Sequence, residues 1–149
     1  MKTKDAGHIY KDEIHPALKD AFGYRLLHVA LKYRKALVDI LEEFELTPPQ
    51  LGILRILSTS DMLNQATLGQ ELGYDKVTVV RMIDGLENLG FVNRIEGTSD
   101  KRQRLIQITK SGREVLAIVK KKNITREKNF LSPLSDSEAE TLKKLIMKL

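Results

Sequence analysis

The 149-residue chain contains no cysteine. That absence excludes disulfide bonds, thiolate metal sites and cysteine-based redox sensing. Tryptophan is also absent, and no stretch of about 18 apolar residues occurs that could cross a bilayer as a helix. The opening Met1-Lys2-Thr3-Lys4-Asp5 lacks the apolar core of a secretory signal, so the expectation is a cytoplasmic chain with no membrane partner. His8, His15 and His28 have no metal-ligand spacing. If His15 and His28 share one helix, they stand about 20 Å apart along it. No phosphate-cradling glycine loop, nucleophile elbow or zinc signature is present. No cofactor, metal or enzymatic activity is expected.

What is present is an ordinary share of apolar residues, 42%, and 30% charged residues with a formal net charge of +5. These values describe a folded chain of one domain, or a domain with arms, whose charge favours an anionic partner. Residues 1–13 are polar and read as an arm. From Ile14 to Phe44, Phe22, Leu26, Val29, Tyr33, Leu37, Ile40 and Phe44 recur at three-and-four spacing, predicting one long helix. Leu27, Leu31, Val38 and Leu41 widen its stripe, so this helix needs apolar neighbours on two sides, one of them another subunit. Thr47 and Gln50 stand in capping-box positions with proline between them, which opens a second helix carrying Leu51, Leu54 and Leu57 inward.

The stretch from Asp75 to Gly90 organises the rest. Asp75 is a candidate N-cap, Gly90 a left-handed closing residue, and Val79, Met82, Ile83, Leu86 and Leu89 form one apolar stripe between them. Val77, Arg81, Asp84 and Asn88 lie opposite. Just upstream, Asn64 caps a shorter pattern containing Leu68 and Leu72, and Gly73-Tyr74-Asp75 turns the chain into the second helix. Two helices joined through a glycine turn describe a helix-turn-helix. After Gly90 the period falls to two over Val92 to Glu96, turn chemistry follows at Gly97 to Lys101, and a second strand runs from Arg102 to Thr109. Thr109 starts another helix, which becomes basic at Lys120, Lys121 and Lys122, read as a solvated face. Pro133 interrupts it, and Ser135 with Glu138 forms a capping box for a terminal helix carrying Leu142, Leu145 and Ile146.

This order of parts, with Thr78 to Arg94, Asp100-Lys101-Arg102 and Leu105 to Gly112, resembles the MarR family of bacterial winged-helix transcriptional regulators. The resemblance runs from about Leu26 to Leu149. It implies a mainly α fold with a small β-hairpin wing, residues 47–109 forming a winged helix-turn-helix DNA-binding lobe. Residues 14–46 and 110–149 would be the dimerisation helices. It also implies a homodimer, and in many members repression relieved by an effector. Where this chain has Val77 and Val80, relatives often carry small hydroxyl residues.

Within that frame Arg81 has the reach for guanine O6 and N7, with Asp84 holding its guanidinium, and Val77 and Val80 suit thymine methyl groups. Lys76 and Thr78 in the first turn suit phosphate oxygens. Arg102 resembles the family's minor-groove arginine. Arg94, Asp100 and Arg104 read as wing bracing. The expected partners are pseudo-palindromic double-stranded DNA, a second copy of the chain and a small aromatic anionic effector. For the effector, the resemblance suggests His28 and Arg34. The competing reading is a winged-helix module that binds protein without reading DNA. Arg81 on one helix and Arg102 on the wing, cations placed for adjacent grooves, favour the first.

Overall fold

The computed structural model describes residues 13–60, 62–97 and 104–149. A 3-10 turn at Pro16–Leu18 precedes α1 (Phe22–Glu42) and α2 (Pro48–Thr59). There follow β1 (Leu63–Asn64), α3 (Gln65–Leu72), α4 (Lys76–Asn88), β2 (Val92–Glu96), β3 (Arg104–Ile108), α5 (Lys110–Leu131) and α6 (Asp136–Ile146). The fold is mostly helical with a small antiparallel sheet, the architecture expected of a winged helix-turn-helix.

Side chains nominated as caps occupy the starts of the helices. Thr47 and Gln50 form the capping box of α2, Asn64 accepts from the Thr67 amide at 2.8 Å, and Ser135 pairs reciprocally with Glu138 at α6. Each removes backbone donors that a helix start otherwise leaves unpaired. The expected helix from Ile14 to Phe44 is shorter at both ends. Pro16 holds His15 in extended backbone, where its Nδ1 accepts from the Ala17 amide, so His15 caps the start of a short 3-10 turn rather than lying on α1. At the other end Glu45 takes φ 55° and the Leu46 amide bonds back to the Leu41 carbonyl at 3.0 Å, closing the helix in a Schellman motif.

The expected hairpin is also larger than two strands. β1 pairs antiparallel with β3, giving the order β1-β3-β2, with Leu63 opposite Ile106 and Val92 opposite Ile108. A two-residue strand has no period to betray it, and Asn64 caps α3 as well as pairing in β1.

Two compact units divide the chain. Residues 40–125 form one, and residues 1–39 with 126–149 form the other. The first contains every buried apolar side chain among the described residues, from Leu41 through Leu51, Ile53, Leu54 and Leu57 to Val79, Ile83, Leu86, Ile106 and Val119. Fully burying a side chain of this kind stabilises by about 1.5–3 kcal/mol, so the fully buried apolar core among the described residues belongs to this unit. In the second, Arg126 stacks 3.9 Å from the centre of the Tyr33 ring and donates to the Tyr33 carbonyl at 2.6 Å, while Tyr33 meets Phe130 edge to face. Its α1 and α6 leave Phe22, Leu26, Val29, Leu145 and Ile146 exposed. No helix among the described residues is long and apolar enough to cross a membrane.

The sheet meets the end of α4 and the start of α5 at a crowded point. α4 ends with Gly90 at φ 72° and the Phe91 amide bonded to the Leu86 carbonyl. The Phe91 carbonyl then accepts from the Thr109 amide at 3.0 Å, and a Cβ on Gly112 would stand 2.2 Å from the same oxygen. Nothing lies within 4 Å of a Cβ built on Gly90. Gly90→Ala is therefore expected to cost about 1–2 kcal/mol through backbone conformation alone, and Gly112→Ala more, because the backbone itself must move. Urea denaturation of both variants checks the order; equal losses would contradict it.

Candidate nucleic-acid interface

α4 presents two faces set by its 3.6-residue period. Val79, Ile83 and Leu86 are buried, Met82 and Leu89 are half-buried, and Lys76, Val77, Arg81, Asp84 and Asn88 are exposed. The buried stripe fixes the rotation of the helix, and so which residues face outward. Gln50 adds a polar tether: it is 8% exposed and its Nε2 donates to the Met82 carbonyl at 3.3 Å. Gly85 makes room for that tether, since a Cβ there would lie 2.7 Å from the Gln50 Nε2.

At the amino end, Asp75 accepts from the Thr78 amide at 3.0 Å and from the Thr78 hydroxyl at 2.7 Å. The cap assignment therefore stands. It also means that the Thr78 hydroxyl proton is directed at Asp75 rather than outward. Lys76 and Val77 flank this turn, with Val77 60% exposed. Arg81 lies one turn further along the exposed face and has no ion-pair partner among the described residues.

Asp84 does not hold Arg81, contrary to the sequence expectation. Its Oδ1 receives Nη2 of Arg94, from β2, at 2.5 Å, while Nη1 of the same guanidinium bonds Glu87. The Arg94 backbone amide also donates to Glu87, at 3.2 Å. Burial alone would weaken the charge on Arg94. The hydrogen bonds and negative charges of Asp84 and Glu87 outweigh that effect and raise its pKa above the ordinary arginine value. Arg94 thus joins the first wing strand to two successive turns of α4. Sequence reading missed Glu87. Two carboxylates at i and i+3 on one helix edge, followed by an arginine inside the next strand, were the available signal.

Val80, Asp84, Glu87, Arg94, Glu96 and Arg104 line an open groove of about 650 Å³ between α4 and the sheet. Val80 is half-buried there, so of the two valines only Val77 is broadly exposed. Arg104 is exposed and sits directly across from Glu96 in the ladder. Asp100 and Arg102 lie outside the described residues. His28 and Arg34 are half-buried on α1. On α5, Lys120 and Lys121 are exposed, whereas Lys122 pairs with Glu43 and lies 5.7 Å from the centre of the Phe44 ring. No group of three or more metal-binding side chains occurs among the described residues.

Residues 46–103 match the model of the MarR family. The transcriptional regulator HosA of Escherichia coli is 30% identical over 105 residues, covering 70% of this chain and 78% of HosA. The chain belongs to the MarR family. Solved MarR-family structures share its fold. The transcriptional repressor CouR, in a structure bound to a 23-mer DNA duplex, is 27% identical and superposes with a TM-score of 0.79 over 93% of this chain and 98% of its own. Apo MarR of Escherichia coli, at 24% identity, superposes with a TM-score of 0.75 over 91% and 98% of the two chains. These relatives are transcriptional regulators.

In this MarR-family chain the cap of α4 has a pH signature. Hydrogen bonding from the Thr78 hydroxyl, then from its amide, holds the Asp75 carboxyl below its ordinary value of 3.8. A lowered native pKa means that the cap stabilises the native state above the ordinary carboxylate value and loses that contribution as pH falls through the lowered one. By NMR, the Thr78 amide is expected to keep its hydrogen-bonded shift as pH falls through the ordinary Asp value of 3.8 and to lose it only below that. Replacement with Asn at position 75 should flatten that dependence. An Asp75 midpoint at or above the ordinary value would contradict the cap geometry.

Proposed function

We propose that this chain is a sequence-specific, double-stranded DNA-binding transcriptional regulator that acts as a homodimeric repressor released by a small-molecule effector. The observation that carries the reading is the outward face of α4. Lys76, Val77 and Arg81 are exposed together at the amino-terminal half of a helix whose other face is locked into the core. Such an end fits a major groove, where Arg81 donates to guanine O6 and N7 and Val77 meets thymine methyl groups. Val80 approaches the same base edges from the groove beside the sheet. Lys76 neutralises phosphate, and Thr78 contacts phosphate only by exchanging Asp75 for it. Arg102 enters the adjacent minor groove, with Arg94, Asp100 and Arg104 bracing the wing. The DNA-bound relative CouR supports this arrangement by analogy.

In this reading residues 47–109 are the DNA-binding lobe, and residues 14–46 and 110–149 build the dimer. Phe22, Leu26, Val29, Leu145 and Ile146 stay exposed on α1 and α6 in a unit that has no buried apolar side chain among its described residues. A two-fold interface lets each copy cover the other's apolar face. Two lobes then meet half-sites about one helical turn apart, so the operator is a pseudo-palindrome.

Selection from random duplexes tests the function. Wild type should enrich a pseudo-palindrome. Arg81→Ala should lose about 1–3 kcal/mol and relax one base pair per half-site. Arg102→Ala should lose most where the flanks are A·T-rich. The salt slope should flatten by about one when Lys76 is replaced by Ala. Sedimentation of a monomer at micromolar concentration would remove the dimer, and no enrichment by wild type, with or without effectors, would favour a protein-binding winged helix.

For the effector, His28 and Arg34 on α1 are the proposed contacts of a small aromatic anion. A thermal-shift screen of aromatic acids should find compounds that stabilise wild type more than Arg34→Ala. Equal stabilisation of the two would remove Arg34 from the site.

A further inference from the structure

Asp84 stands between two arginines and is held by only one. Arg81, three residues earlier on the exposed edge of α4, is within ordinary i,i+3 reach of it. Arg94 reaches it from β2, and the structure places the carboxylate on Arg94. The Asp84 side chain remains 51% exposed and that of Arg94 is only 18% exposed, so the pair sits at the rim of the groove with the arginine beneath and the acid toward solvent. Glu87 occupies the other prong of the same guanidinium. Arginine's planar fork suits two carboxylates at once, where lysine offers a point charge.

We infer that Arg94 is a positioning residue for base reading. By engaging Asp84 from the wing, it prevents that carboxylate from capturing Arg81 and leaves the Arg81 guanidinium free for a base edge. This rests on the proposed function, and specifically on Arg81 reading DNA. Without Arg94, Asp84 would face Arg81 as its nearest cation on the helix. Pairing would turn the reading arginine along the helix surface, and each binding event would first have to break that pair. Loss of Arg94 thus removes sequence preference as well as anchorage of the wing strand. A brace that only held the wing would not couple Arg94 to the base pair read by Arg81.

The test compares binding to the selected duplex and to one altered at the base pair read by Arg81. Wild type should discriminate by about tenfold or more, and Arg94→Gln should bring the ratio down toward that of Arg81→Ala. Adding Asp84→Asn to Arg94→Gln should restore most of the ratio. Adding Glu87→Gln makes the same change of charge at a residue too far along the helix to reach Arg81. It should raise affinity for both duplexes alike and leave the ratio low. Asp84→Asn alone should leave the ratio unchanged.

Arg94→Lys, which keeps the charge and gives up the two-pronged grip, should show the same pattern at smaller amplitude, and it carries the test if Arg94→Gln does not fold. A crystal structure of the free variant should show Arg81 turned onto Asp84, a readout that needs no DNA. Full discrimination without Arg94, restoration by Glu87→Gln as large as by Asp84→Asn, or an Arg81 that stays off Asp84 would each overturn the inference. Failure of the reading beneath it looks different: wild type enriches no duplex, or Arg81→Ala leaves the selected motif unchanged.

Discussion

The carbonyl oxygen of Phe91 is the point on which the arrangement of helix, wing and following helix depends. It accepts the Thr109 amide across the base of the hairpin, and the backbone of Gly112 passes so close that no side chain fits there. Thr109 meanwhile donates its hydroxyl to the Gly90 carbonyl and accepts from the Gly112 amide, capping α5 while holding the end of α4. Three elements therefore share one set of hydrogen bonds. Each such bond contributes about 0.5–1.5 kcal/mol, and because the three elements share them, the end of α4, the register of the hairpin and the start of α5 are set together.

The second attachment of the wing is electrostatic and lies further along the strand. Arg94 grips Asp84 and Glu87, two carboxylates on successive turns of α4. An exposed ion pair is worth little, but this arginine is largely covered, uses both prongs and has a backbone amide bonded to one of the same carboxylates. Geometry rather than charge count makes it effective. In a chain with a net charge of +5, these two acids have a structural use. They bind the cation that aligns the strand.

Local physics accounts for most of what was legible in the residue order. Caps at Thr47, Asn64, Asp75 and Ser135 act within one helical turn, as does the left-handed closure at Gly90, and all appear where the residue types call for them. The stripe of Val79, Ile83 and Leu86 follows from a fixed period, so the outward position of Lys76, Val77 and Arg81 was readable without coordinates. Even the overextended first helix fails for a local reason, because Pro16 forces extended backbone at His15 and the apolar spacing continues regardless.

Partner choice was a different matter. An i,i+3 rule gave Asp84 to Arg81, yet the acid belongs to Arg94, whose distance is set by how β2 folds back along α4. The tether from Gln50 to the Met82 carbonyl and the pairing of Leu63 with Ile106 likewise join residues far apart in the chain. Residue order was enough for the helix caps and for the face that α4 turns outward, since each is decided by neighbours within a turn or two. Which of two arginines holds a carboxylate, and which short segment becomes a third strand, was decided only when the hydrophobic core brought distant backbone together, because a side chain pairs with what lies near it in space.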